Sequence, residues 1–202
     1  MGIRSSHYIE EPYRFDTPGV VDSQKFTTGD VILFSTNWER SRFKRTKIRA
    51  TKGLWTYGGV IVNATNCFAE AMVQEFRPTY SDDYLMNYNT LSQVSNGPRM
   101  VSLACLLREN NYKAYMIRRT IGNTHMKVLA NQEADFIIAN QTYLDEDRDF
   151  PKTPQGFLSF SLRRMGILPI GYANLDMNDF AGSKLARCTG NSYAKGDVYV
   201  VG

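Results

Sequence analysis

The sequence predicts a single α+β domain, and three observations carry this. Short apolar runs bounded by turn residues crowd the first half of the chain, helix-capping signals appear in the second, and no fixed-period repeat links them. The chain has 202 residues, the size of one domain, and its 43% hydrophobic and 22% charged content is ordinary for a globular protein. That composition excludes collagen-like, low-complexity and wholly disordered chains. No apolar run approaches the roughly 18–20 residues of a membrane-spanning helix. Residues 1–16 lack the apolar stretch of a secretory signal, so the protein is expected not to be secreted.

Residues 1–25, with Glu10-Glu11-Pro12 and Thr17-Pro18-Gly19, read as an irregular N-terminal arm, and 26–202 as the domain. Thr28-Gly29-Asp30 is turn chemistry leading into a buried strand over 31–34. A second strand is expected over 54–62 and a third over 67–73, with Glu70 in its middle; the polar residues 63–66 make the two a hairpin. Residues 77–98 are polar and tyrosine-rich and read as a loop closed by Asn96-Gly97-Pro98. A strand follows over 112–119 and a helix over 126–143. Thr153 caps a further helix, Pro154 suits its first position, Phe157, Leu158, Leu162 and Met165 form its apolar stripe, and Gly166 stops it. Lys195-Gly196-Asp197 leads into a closing strand.

Charge is unevenly spread. Arg40, Arg42, Lys44, Arg45, Lys47, Arg49 and Lys52 fall in one segment with no acidic residue, so the remainder carries −3 against +4 for the whole chain. Such a segment suits an anionic membrane, an acidic partner or nucleic acid, or is simply a solvated helix face. Phe43 and Ile48 are five apart, so a helix here is expected to be only weakly amphipathic. Nucleic acid, with Trp38 and Phe43 as stacking groups, is the least favoured partner because the segment is short and the overall charge modest. Met1-Gly2-Ile3-Arg4-Ser5-Ser6 matches the N-myristoylation pattern with Gly2 as acceptor. One myristoyl chain binds membranes only marginally, and a basic segment is the kind of second signal that completes an anchor.

The order of segments resembles the circularly permuted branch of the NlpC/P60 papain-like superfamily. That branch includes bacterial hydrolases, lecithin–retinol acyltransferase-like proteins, and members from poxviruses and other large DNA viruses. The matching pieces are Thr28-Gly29-Asp30-Val31-Ile32-Leu33-Phe34, Leu54-Trp55-Thr56-Tyr57-Gly58-Gly59-Val60-Ile61-Val62, Phe68-Ala69-Glu70-Ala71, Leu162-Arg163-Arg164-Met165-Gly166-Ile167-Leu168-Pro169 and Asn178-Asp179-Phe180. The resemblance implies a small antiparallel sheet or half-barrel packed against helices. It also implies a cysteine at a helix start, a histidine base on a strand and a third polar residue that orients the ring.

Those family positions fall on Pro154, Tyr57 and Glu70. Neither a proline nor a tyrosine with pKa near ~10 performs that chemistry at neutral pH. The expectation is therefore a degenerate member, non-catalytic and without cofactor or metal. It is read as a structural or adaptor component of a large DNA virus, a minor capsid or membrane-associated protein found in the virion or host cytoplasm. The alternative is a thiol hydrolase or acyltransferase that pairs His7 or His125 with Cys67, Cys105 or Cys188 across the fold. Cys67 and Cys105 lie in apolar contexts, whereas Cys188, between Arg187 and Thr189, reads as an exposed turn residue. Ser159 and Ser161 have no base nearby in sequence. Asp145, Glu146, Asp147 and Asp149 read as a solvated linker, and Gly58-Gly59, lacking a lysine partner, is not a phosphate loop.

Overall fold

The computed structural model describes residues 6–9, 26–51, 53–62, 71–77, 97–103, 106, 112–121, 132, 151, 153–171 and 175–201. The described residues form an α+β arrangement built on a seven-stranded sheet. The strands are β1 (Ser6–Ile9), β2 (Val31–Ser35), β3 (Tyr57–Val62), β4 (Met72–Arg77), β5 (Gly97–Ser102), β6 (Ala114–Arg118) and β7 (Asp197–Val201). Their order is β1-β7-β6-β2-β3-β4-β5. Six strands pair antiparallel, and β1 adds to β7 in parallel, with Ser6 opposite Val198 and Ile9 opposite Val201. The sheet is thus larger than the sequence suggested, and residues 6–9 of the expected irregular arm are a strand.

β2 lies at the centre, with Val31 opposite Val60 on one side and Arg118 on the other. Every residue of Val-Ile-Leu-Phe-Ser is buried, because both faces of the sheet are covered. On one face Val31, Leu33, Val60, Met116 and Val198 pack under helices. On the other, Ile32, Phe34, Ile61, Tyr115 and Ile117 pack with Phe26, Leu103 and Leu106. The period of two along each strand assigns alternate residues to the two layers.

The helices are α1 (Arg42–Thr51), α2 (Pro154–Arg164), α3 (Met177–Ala181) and α4 (Ser183–Cys188). At the start of α2, Thr153 Oγ1 accepts a hydrogen bond from the Gly156 N–H at 3.1 Å, and Pro154 occupies the first turn. At its end Gly166 adopts φ 71°. There the Gly166 and Ile167 N–H groups donate to the carbonyls of Arg163 and Leu162, the Schellman arrangement. α3 carries a reciprocal cap: Asp176 accepts from the Asp179 N–H at 2.8 Å, and Asp179 accepts from the Asp176 N–H at 3.1 Å.

The hairpin expected over 54–62 and 67–73 is shifted. β3 and β4 do pair, with Ile61 opposite Val73, but β4 runs to Arg77 through buried Gln74 and Glu75. β5 starts at Gly97-Pro98, which the sequence assigned to a loop; it lies at the edge of the sheet, where proline is tolerated. The helix expected over 126–143 and the acidic residues 145–149 lie outside the described residues, apart from Gln132.

Candidate functional site

Arginine and tryptophan side chains converge beneath α1. A cleft of about 670 Å³ opens between α1, the β6–β7 pair and the α3–α4 corner. That volume lies within the range of small-molecule sites. Leu54, Trp55, Met116 and Val198 supply apolar wall, and Arg42, Arg45, Arg49, Arg118 and Lys195 supply cations. Among the described residues, no acidic side chain lines it.

α1 divides the basic segment between two faces. Residues 42, 45, 46 and 49 recur at helical spacing and line the cleft. Ile48 packs against the core, and Phe43 lies on the outside with Lys44 and Lys47, 81% exposed. Arg45 is fixed in place. Its Nη1 donates to the carbonyls of Glu39 and Arg40 at 2.7 and 2.6 Å, and its guanidinium sits 4.8 Å over the Trp38 ring. Trp38 in turn packs against Trp55, ring centres 5.6 Å apart.

The wall opposite α1 is held by Arg118, on the helix-covered face of β6 and 3% exposed. Its Nε donates to the Ala194 carbonyl at 2.8 Å, and its Nη1 to those of Phe180, Ala181 and Gly182 at 3.1, 2.9 and 2.7 Å. The last three are the carbonyls at the end of α3, where the helix dipole favours a cation. The hydrogen-bond acceptors of this buried guanidinium among the described residues are all neutral. Burial holds its pKa below the ordinary arginine range, but not far enough for an arginine to lose its proton in a protein.

Asn178 joins α3 to the segment before β3. Its Oδ1 accepts from the N–H groups of Leu54 and Trp55 at 3.0 and 3.2 Å. These two bonds fix Asn178 along the cleft wall. Trp55 is 2% exposed, and its indole N–H has no acceptor among the described residues.

A second polar cluster fixes the sheet beside this site. Asp30 accepts from the Thr27 N–H at 2.9 Å, the Thr120 N–H at 2.8 Å and the Thr120 hydroxyl at 3.0 Å, with Arg119 at 3.8 Å. Burial raises its pKa from the ordinary carboxylate range, against those hydrogen bonds and Arg119. Tyr193 donates its hydroxyl to the Gly29 carbonyl at 2.7 Å, and burial, with Asp30 nearby, raises its pKa far above that of free tyrosine.

The positions suggested by the family resemblance are distributed as follows. Pro154 opens α2, which packs over β3 and β4 on the helix-covered face. Tyr57 opens β3 and is 3% exposed in the opposite layer, its ring stacked with Tyr112 at 6.3 Å and tilted against Phe34 at 6.1 Å. The sheet therefore separates these two side chains. Glu70, Gly2, Lys52, Cys67, Cys105 and His125 lie outside the described residues, and of His7 only the backbone is described.

Cys188 corrects an expectation: it ends α4 and is 7% exposed in the core rather than exposed in a turn. Ser159 and Ser161 are buried on α2, and Ser161 Oγ accepts from Gln74 Nε2 at 3.4 Å. Among the described residues no group of three or more His, Cys, Asp or Glu is placed to hold a metal ion. No helix among them is long and apolar enough to cross a membrane. In comparisons with family models, curated proteins and solved structures, nothing matches the chain.

Proposed function

We propose that the chain acts by binding, as a non-catalytic adaptor that docks on an anionic membrane through the outer face of α1. The observation that carries this is Phe43, 81% exposed on a helix that includes Lys44 and Lys47. A large aromatic held in water beside cations gains on entering a lipid surface. Full burial of a phenylalanine side chain is worth about 1.5–3 kcal/mol, and each Lys or Arg near an anionic leaflet about 1 kcal/mol. A myristoyl group on Gly2 adds the second anchor such a surface requires. Tyr57 and Pro154 at the family's catalytic positions support a binding role. The resemblance sets the wider context: a minor capsid or membrane-associated component of a large DNA virus, bridging an internal membrane and a protein shell.

Vesicle co-sedimentation tests the docking surface. The protein is expected to sediment with phosphatidylcholine vesicles containing phosphatidylserine, not with phosphatidylcholine alone, and to dissociate as salt rises. Lys44→Glu with Lys47→Glu is expected to weaken binding about tenfold or more, since about 1.4 kcal/mol corresponds to one decade. Equal binding to both vesicle types, or an unaffected double variant, would contradict the reading.

A further inference from the structure

The opposite face of the same helix bounds a site with its own chemistry. We infer that the cleft beneath α1 binds a small organic phosphate, its phosphate groups against Arg42, Arg49 and Lys195 and its organic body over Leu54, Met116 and Val198. This site and the membrane-docking face use different residues of α1, so either stands without the other.

Four observations converge on an anionic, acceptor-rich ligand. First, the described lining holds five basic side chains and no acidic one. Second, two of the five are committed within the protein. Arg45 binds backbone carbonyls and covers Trp38, and Arg118 binds four carbonyls. These give the site a fixed field, while Arg42, Arg49 and Lys195 stand exposed at the cleft to make contact.

Third, Arg118 is a buried cation whose hydrogen-bond acceptors among the described residues are carbonyls. Carbonyl dipoles take up its Nε and Nη1 donors but leave a net positive charge in the protein, where a low effective dielectric makes it felt across the cleft. An anion in the cleft offsets that charge. Fourth, an acceptor on the cleft wall is already occupied: the Asn178 side-chain oxygen takes the N–H groups of Leu54 and Trp55.

Arginine forks match phosphate geometry, and the compact lysine ammonium adds a point charge. The apolar wall beyond them distinguishes an organic phosphate from a bare polyphosphate. Phosphate on an organic body is common to a nucleotide and to the headgroup of an inositol lipid, and the choice between them is left to measurement.

The chain has two tryptophans, Trp38 and Trp55, and both line the cleft, so intrinsic fluorescence reports on it directly. The full-length protein, free of membranes, is titrated with ATP, with inositol 1,4,5-trisphosphate and with inorganic tripolyphosphate at constant ionic strength. Saturable change at sub-millimolar concentration is expected with one of the two organic phosphates, at least fivefold tighter than tripolyphosphate. Tighter binding of ATP identifies a nucleotide site, and tighter binding of the inositol phosphate a headgroup site.

Arg42→Gln with Arg49→Gln, both exposed and hence harmless to the fold, is expected to weaken that binding at least tenfold. Lys195→Gln is expected to weaken it severalfold. Absence of saturable binding to either organic phosphate, tripolyphosphate binding as tightly as both, or insensitivity to the arginine pair would overturn the inference. Vesicle binding through Phe43, Lys44 and Lys47 is scored separately and does not enter these outcomes.

Discussion

Arg118 Nη1 lies 2.7 Å from the carbonyl oxygen of Gly182, tying the middle of the sheet to the turn between two short helices 64 residues further along the chain. α3 and α4 have five and six residues, too few to persist on their own. Their position, and with it one wall of the cleft, depends on such tertiary ties.

Replacing Arg118 with methionine is therefore expected to cost about 2–4 kcal/mol, because the buried carbonyl of Phe180 and the part-buried ones of Ala181 and Ala194 lose a charged donor. Arg118→Lys is expected to recover only part of this, since an ammonium cannot span the same acceptors. Chemical denaturation of the three proteins checks the order.

Gly58 is close-packed rather than flexible. A Cβ there would lie 2.7 Å from the Ile32 carbonyl and 2.7 Å from Leu33 Cδ2. Gly58→Ala is expected to destabilise by about 1–3 kcal/mol through overpacking. Gly171→Ala, where a Cβ would meet nothing within 4 Å, is expected to be close to neutral. Thermal melts of the two single variants measure the contrast.

Tyr193 gives a pH dependence of known sign. Its folded pKa is raised above the ordinary value of 10.0, so above pH 10 the unfolded chain releases a proton that the folded one retains. Stability from this group is fully present below pH 10 and is lost as pH rises, at about 1.4 kcal/mol per pH unit. Tyr193→Phe is expected to lose about 1 kcal/mol at neutral pH, with the hydrogen bond to Gly29, and to show a shallower alkaline decline. Denaturant titrations at pH 7, 10 and 11 test both halves.

Asp30 has the other sign from a typical paired carboxylate. Burial raises its folded pKa above 3.8. Its contribution is therefore most favourable at acid pH and declines as pH rises from the unfolded pKa through the folded one. Asp30→Ala is expected to remove that local slope while leaving the N–H groups of Thr27 and Thr120 without their acceptor, a net loss of about 2–4 kcal/mol at neutral pH. A pH series of denaturation midpoints for both proteins is the check.

What was legible in the sequence was local. Thr153, Pro154 and Gly166 mark α2 because caps act within a few residues of themselves. β2 was legible because a central strand buried on both faces is apolar throughout. β1 was not, since its pairing with β7 spans nearly the whole chain and four residues leave no pattern. β4 was misplaced because buried Gln74 and Glu75 interrupt the apolar alternation.

The basic segment was visible at once as composition. Its division into an arginine face and a face bearing Phe43 was not, because five-residue spacing of Phe43 and Ile48 obscured the helix register. Arg118 gave no signal: an Arg118-Arg119 pair at the end of an apolar strand reads as solvated, and only the distant carbonyls of Phe180, Ala181, Gly182 and Ala194 explain the burial of the first.

On the proposed membrane docking, Phe43 enters the lipid. Phe43→Trp, a conservative change at an exposed site, places a reporter there while Trp38 and Trp55 remain buried. Brominated acyl chains in phosphatidylserine-containing vesicles should quench the variant's fluorescence well beyond that of the unaltered protein. Equal quenching of the two proteins at lipid concentrations where both are bound would contradict insertion and leave α1 without the membrane contact assigned to it.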